Sequence, residues 1–253
     1  MEGYVKSIKQ DGLATIEFYH PKSNSMPSDQ LGRMAKSFED AGKDPDVKLI
    51  LLKSGGDKAF CAGANFDELL SISNEDEGRR FFMGFANVIN AMRKVPQLVV
   101  CRVQGKCVGG GVGLAAAADY TLATSSAEIK LSELAVGLGP FVVGPAVERK
   151  TGLSAFSQLT INAGSFQTAK WAKEKGLFAE LHQTLHELDE AVKKILGDLL
   201  RSNPEAMRAL KETFWEGTSN WDELLRQRAE VSGRLVLSEY TRDWIMKFKS
   251  RPV

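Results

Sequence analysis

Two stretches decide the reading of this chain: Asp57–Leu69, DKAFCAGANFDEL, and Val103–Asp119, VQGKCVGGGVGLAAAAD. Each begins as a short apolar run and then breaks into glycine and alanine. Such residues let a ligand approach the main chain closely and tolerate unusual φ/ψ. Gly109-Gly110-Gly111 leads straight into a small, apolar, helix-like stretch. The first N–H groups of a helix have no intrahelical acceptor, so here they are expected to face a ligand. Two loops supplying one N–H each would form an oxyanion hole, which stabilises an enolate or a tetrahedral oxyanion.

Working outward, strand-like runs fall near Tyr4–Ile8, Ala14–Phe18, Lys48–Leu52, Leu98–Val103 and Tyr120–Ala123, with helical patterns at Ser28–Gly42 and Glu75–Lys94. That alternation predicts an α/β layout with parallel crossovers. Beyond Pro145 the pattern predicts helices at 154–163, 168–175, 187–201, 204–216, 221–236 and 239–249. Pro204 follows Ser202-Asn203 as a first-turn proline follows its cap. A division follows between a core, 1–185, and a helical C-terminal region, 186–253. The latter's amphipathic helices, which carry Trp215, Trp221 and Trp244, are expected to cover a neighbouring subunit. No internal repeat is evident.

The 253 residues, 43% of them hydrophobic, suffice for one large domain or one with an appendage. A net charge of +1 argues against nucleic acid or an anionic membrane as partner. Cys61, Cys101 and Cys107 are an odd set that suits a reducing compartment. No histidine lies in either loop to activate Cys61 or Cys107, so they read as packing residues. No apolar stretch is long enough to cross a bilayer, and the N-terminus lacks targeting character. A cytoplasmic protein is expected.

The two loops, at this spacing, closely resemble the signature regions of the crotonase (enoyl-CoA hydratase/isomerase) superfamily. The resemblance runs from the N-terminal strand pair and the His20–Ser25 turn to the basic tail at Lys247–Arg251. It implies a ββα-superhelix core with a helical trimerisation region, and a homotrimer or hexamer. It implies an acyl-CoA thioester substrate, with CoA arriving as part of it and no metal or redox cofactor. The oxyanion donors implied are the N–H groups of Ala64 and Gly110. For CoA, the resemblance points to Ala62 and Gly63 near the adenine, with Lys22 close by and Lys249 or Arg251 reaching a phosphate. The acyl pocket is expected from Phe66, Leu69, Phe81, Phe82, Phe85 and the Gly139–Val142 turn.

The family's two catalytic carboxylates map unequally. The later one matches Glu133, within Ser132-Glu133-Leu134-Ala135-Val136-Gly137. The earlier one falls on Gly113, which carries no side chain. Hydration of a 2-enoyl thioester is usually divided between two carboxylates, whereas shifting a double bond from C3 to C2 needs a single base that removes a C2 proton and returns it at C4. The chain is therefore expected to isomerise a 3-enoyl-CoA with Glu133 as base. Hydration with a displaced second acid, decarboxylation of a carboxy-acyl-CoA, and a non-catalytic binding role stay open. Asp67, Glu68, Glu75, Asp76 and Glu77 read as acidic helix starts, and Asp119 as a capping or packing residue.

Other chemistries are poorly supported. Gly111-Val112-Gly113-Leu114-Ala115-Ala116 fits a dinucleotide fingerprint, but its glycines lie inside an apolar run. His182 and His186 stand four apart without an evident third metal ligand. A nucleophile elbow, a P-loop and Cys-x-x-Cys pairs are absent.

Overall fold

The computed structural model describes residues 2–250. Its first element is a hairpin, β1 (Tyr4–Gln10) and β2 (Leu13–Tyr19), paired antiparallel. Asp11 and Gly12 both take positive φ, the backbone that a two-residue turn needs to match the strand twist. β2 buries alternate residues, Ala14, Ile16 and Phe18. The strands that follow it, β3 (Leu49–Ser54), β5 (Leu98–Val103) and β7 (Tyr120–Thr124), are almost wholly buried, as parallel strands covered on both faces are. With β10 (Glu180–His182) they form one sheet in the order β1-β2-β3-β5-β7-β10, parallel from β2 onward.

A second sheet was not legible in the sequence. It consists of β4 (Ala59–Cys61), β6 (Lys106–Val108), β8 (Glu128–Lys130) and β9 (Gln167–Thr168), in the order β4-β6-β8-β9. Strands of two or three residues are too short to display an alternation. Each of β3, β5 and β7 steps into the small sheet through β4, β6 or β8, and helical structure follows. The backbone thus repeats a ββα unit that no repeat in the sequence announces.

Helices α1 (Ser28–Lys43) and α3 (Glu75–Lys94) lie on one face of the large sheet; α2 (Phe66–Ser71) is a short turn between them in sequence. Their apolar stripes bring Leu31, Met34, Phe38, Phe85, Ile89 and Met92 into the main core with Ile16, Ile50, Leu52 and Val99. α4 (Gly110–Ala117) is buried throughout and packs against α5 (Gly144–Ile161). α5 starts ten residues before the expected 154. Gly152, at φ 77, breaks it into two segments, and the sequence pattern registers only the second. α6 (Ala169–Glu174) follows β9.

α7 (Leu185–Leu200) covers the opposite sheet face, where Leu188, Val192 and Leu196 meet Leu49, Leu51, Val100 and Leu122. α8 (Pro204–Phe214) begins as expected, with the Asn203 side chain accepting from Glu205 and Ala206 N–H. α9 (Trp221–Leu235) packs along α3, and α10 (Glu239–Lys249) reaches α2. Trp215 and Trp221 are buried edge-to-face within their own chain, and Trp244 stacks on Phe248 with ring centres 5.3 Å apart. Among the described residues no helix is long and apolar enough to cross a membrane.

Candidate active site

The first signature loop leaves β4 and runs beside Met26. Met26 N–H donates to the Gly63 carbonyl (2.8 Å) and Asn65 N–H donates to the Met26 carbonyl (3.3 Å). The Ala64 N–H between them has no acceptor among the described residues. Asn65 then caps α2, its side chain accepting from Asp67 and Glu68 N–H.

The second loop leaves β6. Gly109 N–H donates to the Lys130 carbonyl (2.8 Å), and Gly109 then adopts φ 52, ψ −116, a conformation that glycine alone tolerates readily. That turn starts α4 at Gly110, whose N–H is likewise without an acceptor among the described residues. The loops meet at Gly63, where φ is +84. A Cβ there would lie 2.8 Å from the Val108 carbonyl oxygen and 3.4 Å from the Gly110 nitrogen. Close contact of the two main chains is what brings both free donors, Ala64 and Gly110, to the wall of one cleft.

Glu133 faces that wall from the segment after β8. Its backbone is locked by Val136 and Leu138 N–H groups, both donating to its carbonyl (3.1 and 2.9 Å). Its Oε1 would stand 2.9 Å from a Cβ on Gly109, so the carboxyl group lies against the residue preceding the Gly110 donor. Part of Glu133 remains open to the cleft, but Oε2 is buried and has no hydrogen-bond partner. Burial without a counter-charge pushes its carboxyl pKa up from 4.5 to about 7, against a small opposing pull from its own backbone N–H. A carboxylate poised near neutrality beside two backbone donors is equipped to take a proton from carbon while the donors hold the developing oxyanion.

The earlier-acid position is closed as well as empty. A Cβ on Gly113 would fall 2.4 Å from Val143 Cγ1 and 2.6 Å from Val143 Cβ. Val143, which no sequence pattern singles out, fills the space that a side chain at 113 would take.

The remaining acids do not replace it. Glu133 is the one charged side chain lining the cleft among the described residues. Glu68 accepts from Ser28 N–H (2.8 Å), and Glu77 accepts from Ser73 N–H (2.7 Å) in the cap of α3. Asp119 is a buried hub. It accepts from Lys211 Nζ (2.7 Å), Trp215 Nε1 (2.8 Å) and Val99 N–H (2.7 Å), which bears out the packing role expected of it.

Of the residues expected at the CoA side, Ala62 N–H is taken by the Ser23 carbonyl (3.1 Å) and Gly63 N–H points at Cys61 Sγ (3.4 Å). Neither lines the cleft. Lys22 and Lys249 converge on one carboxylate: Asp67 binds Lys22 Nζ through Oδ2 and Lys249 Nζ through Oδ1 at 2.6 Å. The two lysines hold the Asp67 pKa down at about 2, Lys22 more than Lys249. Nothing in the sequence pattern signals this clamp. Arg251 lies outside the described residues. Phe66, Leu69, Phe82, Phe85 and the 139–142 turn line the cleft as expected, whereas Phe81 does not. Ser232 of α9 also lines it, unforeseen from sequence.

The three cysteines are buried, and desolvation pushes the Cys61 thiol up to about 12, consistent with packing rather than nucleophilic roles. His182 sits on β10 beside Glu180 Oε2 (3.1 Å) and His186 on α7; they do not share a helix. No group of three potential metal ligands occurs among the described residues.

The family model described as enoyl-CoA hydratase/isomerase matches residues 8–241. The chain is 30% identical over 211 residues to a crotonyl-CoA hydratase of Syntrophomonas wolfei, covering 83% of this chain and 80% of that protein. It is 24% identical over 251 residues to a trans-2-decenoyl-[acyl-carrier-protein] isomerase of Streptococcus mutans, covering 96% and 94%. An enoyl-CoA hydratase structure from Bacillus halodurans superposes with a TM-score of 0.88 at 19% identity, over 96% of this chain and 99% of that one.

Proposed function

Since this chain belongs to the enoyl-CoA hydratase/isomerase family of the crotonase superfamily, we propose that it is an acyl-CoA enzyme that moves a 3-enoyl-CoA double bond to the 2-position with Glu133 as its single base. The thioester oxygen accepts from the Ala64 and Gly110 N–H groups. The Glu133 carboxylate takes a C2 proton, and the electron pair passes into the thioester to give a dienolate whose negative oxygen sits between the two donors. The C3–C4 π pair then takes the proton back from Glu133 at C4, leaving the conjugated C2–C3 double bond. Each backbone donor of this kind is worth about a hundredfold or more in rate, and the positioned base about a hundredfold to ten-thousandfold.

One observation carries the choice of isomerisation over hydration. Glu133 is a lone, unpartnered carboxyl group at the cleft, and the place of a second acid is filled by Val143. A water on that side has no second base to deprotonate it. In this reading Lys22 and Lys249 meet the phosphates of CoA, so the Asp67 carboxylate has to be exchanged for phosphate when substrate binds.

The test is to offer the protein 3-enoyl-CoA and 2-enoyl-CoA separately and follow the absorbance of the conjugated thioester. A rise with the first and no change with the second is expected. Loss of absorbance from the 2-enoyl substrate would replace isomerisation with hydration.

A further inference from the structure

The walls beyond the oxyanion donors restrict the acyl group. Apart from Glu133, the side chains lining the cleft are apolar or are the hydroxyls of Ser132 and Ser232. Among the described residues no lysine, arginine, histidine, asparagine or glutamine lines it. A second carboxylate on the acyl chain would lose its water without gaining a cation or an amide donor, and would share the cleft with the Glu133 carboxylate. Desolvating an uncompensated charge is far costlier than desolvating a methyl group.

The cleft is also small. Its free volume is about 60 Å³, less than half the ~150 Å³ of an apolar cavity that admits benzene. Aromatic rings set its limits. Phe85 fills the space beside the Gly110 donor, where a Cβ would lie 2.1 Å from its ring. Phe141 folds back over Gly139, its ring atoms 2.6 Å from where a Cβ on that glycine would be. Its N–H donates to the Gly139 carbonyl (2.7 Å), which tightens the turn that carries the ring.

We infer that this site takes acyl-CoA thioesters whose acyl group is a short, uncharged hydrocarbon, and that Phe141 sets the upper limit of its length. The inference rests on the acyl-CoA reading but is independent of the direction of the chemistry. It also argues against the decarboxylase alternative, whose substrate brings a carboxylate into this cleft.

Saturated thioesters test it by binding alone. Pentanoyl-CoA and glutaryl-CoA have the same number of acyl carbons and differ in a terminal methyl against a terminal carboxylate. Calorimetric titration of wild-type protein should find glutaryl-CoA at least about a hundredfold weaker. Decanoyl-CoA should bind at least about tenfold more weakly than pentanoyl-CoA, and Phe141→Ala should narrow that gap. Affinities within about threefold for pentanoyl and glutaryl thioesters would overturn the charge exclusion. A length profile unchanged in Phe141→Ala, with pentanoyl-CoA affinity retained as evidence of folding, would overturn the role of Phe141. Failure of the isomerase reading appears separately: acyl thioesters then bind in the expected pattern while 3-enoyl-CoA is not converted.

Discussion

Replacing Glu133 with glutamine should cost activity and remove a pH-dependent burden on stability, and the second effect separates a catalytic carboxylate from a structural one. Glu133 Oε2 is buried and unpartnered, and desolvation raises the carboxyl pKa from 4.5 to about 7. Because the native state holds this proton more tightly than the unfolded chain, native protein binds more protons between those two values. Stability therefore falls as pH rises through that window, and the loss is complete once pH exceeds the folded value. At about 1.4 kcal/mol for each pH unit, the gap between 4.5 and about 7 corresponds to about 3 kcal/mol. Urea unfolding of both proteins at about pH 4.5 and about pH 8 should move the balance by that amount in favour of Glu133→Gln at the higher pH. Activity should move the other way. Wild-type kcat/KM should rise about tenfold between about pH 6 and about pH 8 as the base ionises, and the variant should fall by about a hundredfold to ten-thousandfold with CoA affinity kept. Parallel stability curves would mean that Glu133 has a partner or sits in water, and would refute the argument for a desolvated base.

Three further outcomes follow from named contacts. Gly113→Glu alone should destabilise the protein, because its Cβ meets Val143 Cγ1 at 2.4 Å; paired with Val143→Ala it should fold better and acquire hydration of 2-enoyl-CoA, measured as loss of conjugated absorbance. Asp67→Asn should release Lys22 and Lys249 and lower the Kd for CoA, most clearly at low salt, while a pantetheine thioester lacking the nucleotide phosphates should bind as before; an unchanged CoA Kd by calorimetry would dissociate these lysines from the phosphates. Asp119→Ala should destabilise by about 3–5 kcal/mol in chemical denaturation, since it strands the buried Lys211 ammonium, whereas Asp119→Ala with Lys211→Met should recover part of that loss.

What the sequence discloses and what it hides divide along physical lines. The helices α1 and α3 are long and amphipathic, so periodicity places them within a residue or so of their observed ends. The loops that carry the free Ala64 and Gly110 N–H groups are equally legible as a glycine-led helix start and a small-residue run, while the choice of those two residues comes from the resemblance. Glu133 is found only through the resemblance to the crotonase superfamily, whose later acid falls on it. The three-residue strands β4, β6 and β8 are hidden because so short a run carries no period, yet they aim both loops into the cleft. Asp67 is hidden for another reason: its partners lie 45 and 182 positions away, and nothing local distinguishes a clamp from a solvated helix start.

Val143 shows the deeper limit, and why the reaction type depends on the fold. Gly113 in the sequence states only that an acid is missing, which leaves room for a water, a neighbouring acid or a vacant pocket. Each of those would keep hydration open. Thirty residues later the chain supplies a β-branched apolar side chain from the turn that leads into α5, and it packs onto the bare glycine. A missing carboxylate then becomes a closed wall, which is what supports the proposal that the cleft works with one base from one side. Glycine and valine at these two positions act as a pair that a single-residue reading cannot detect, and substituting both together is the change that should move the site from one reaction to the other.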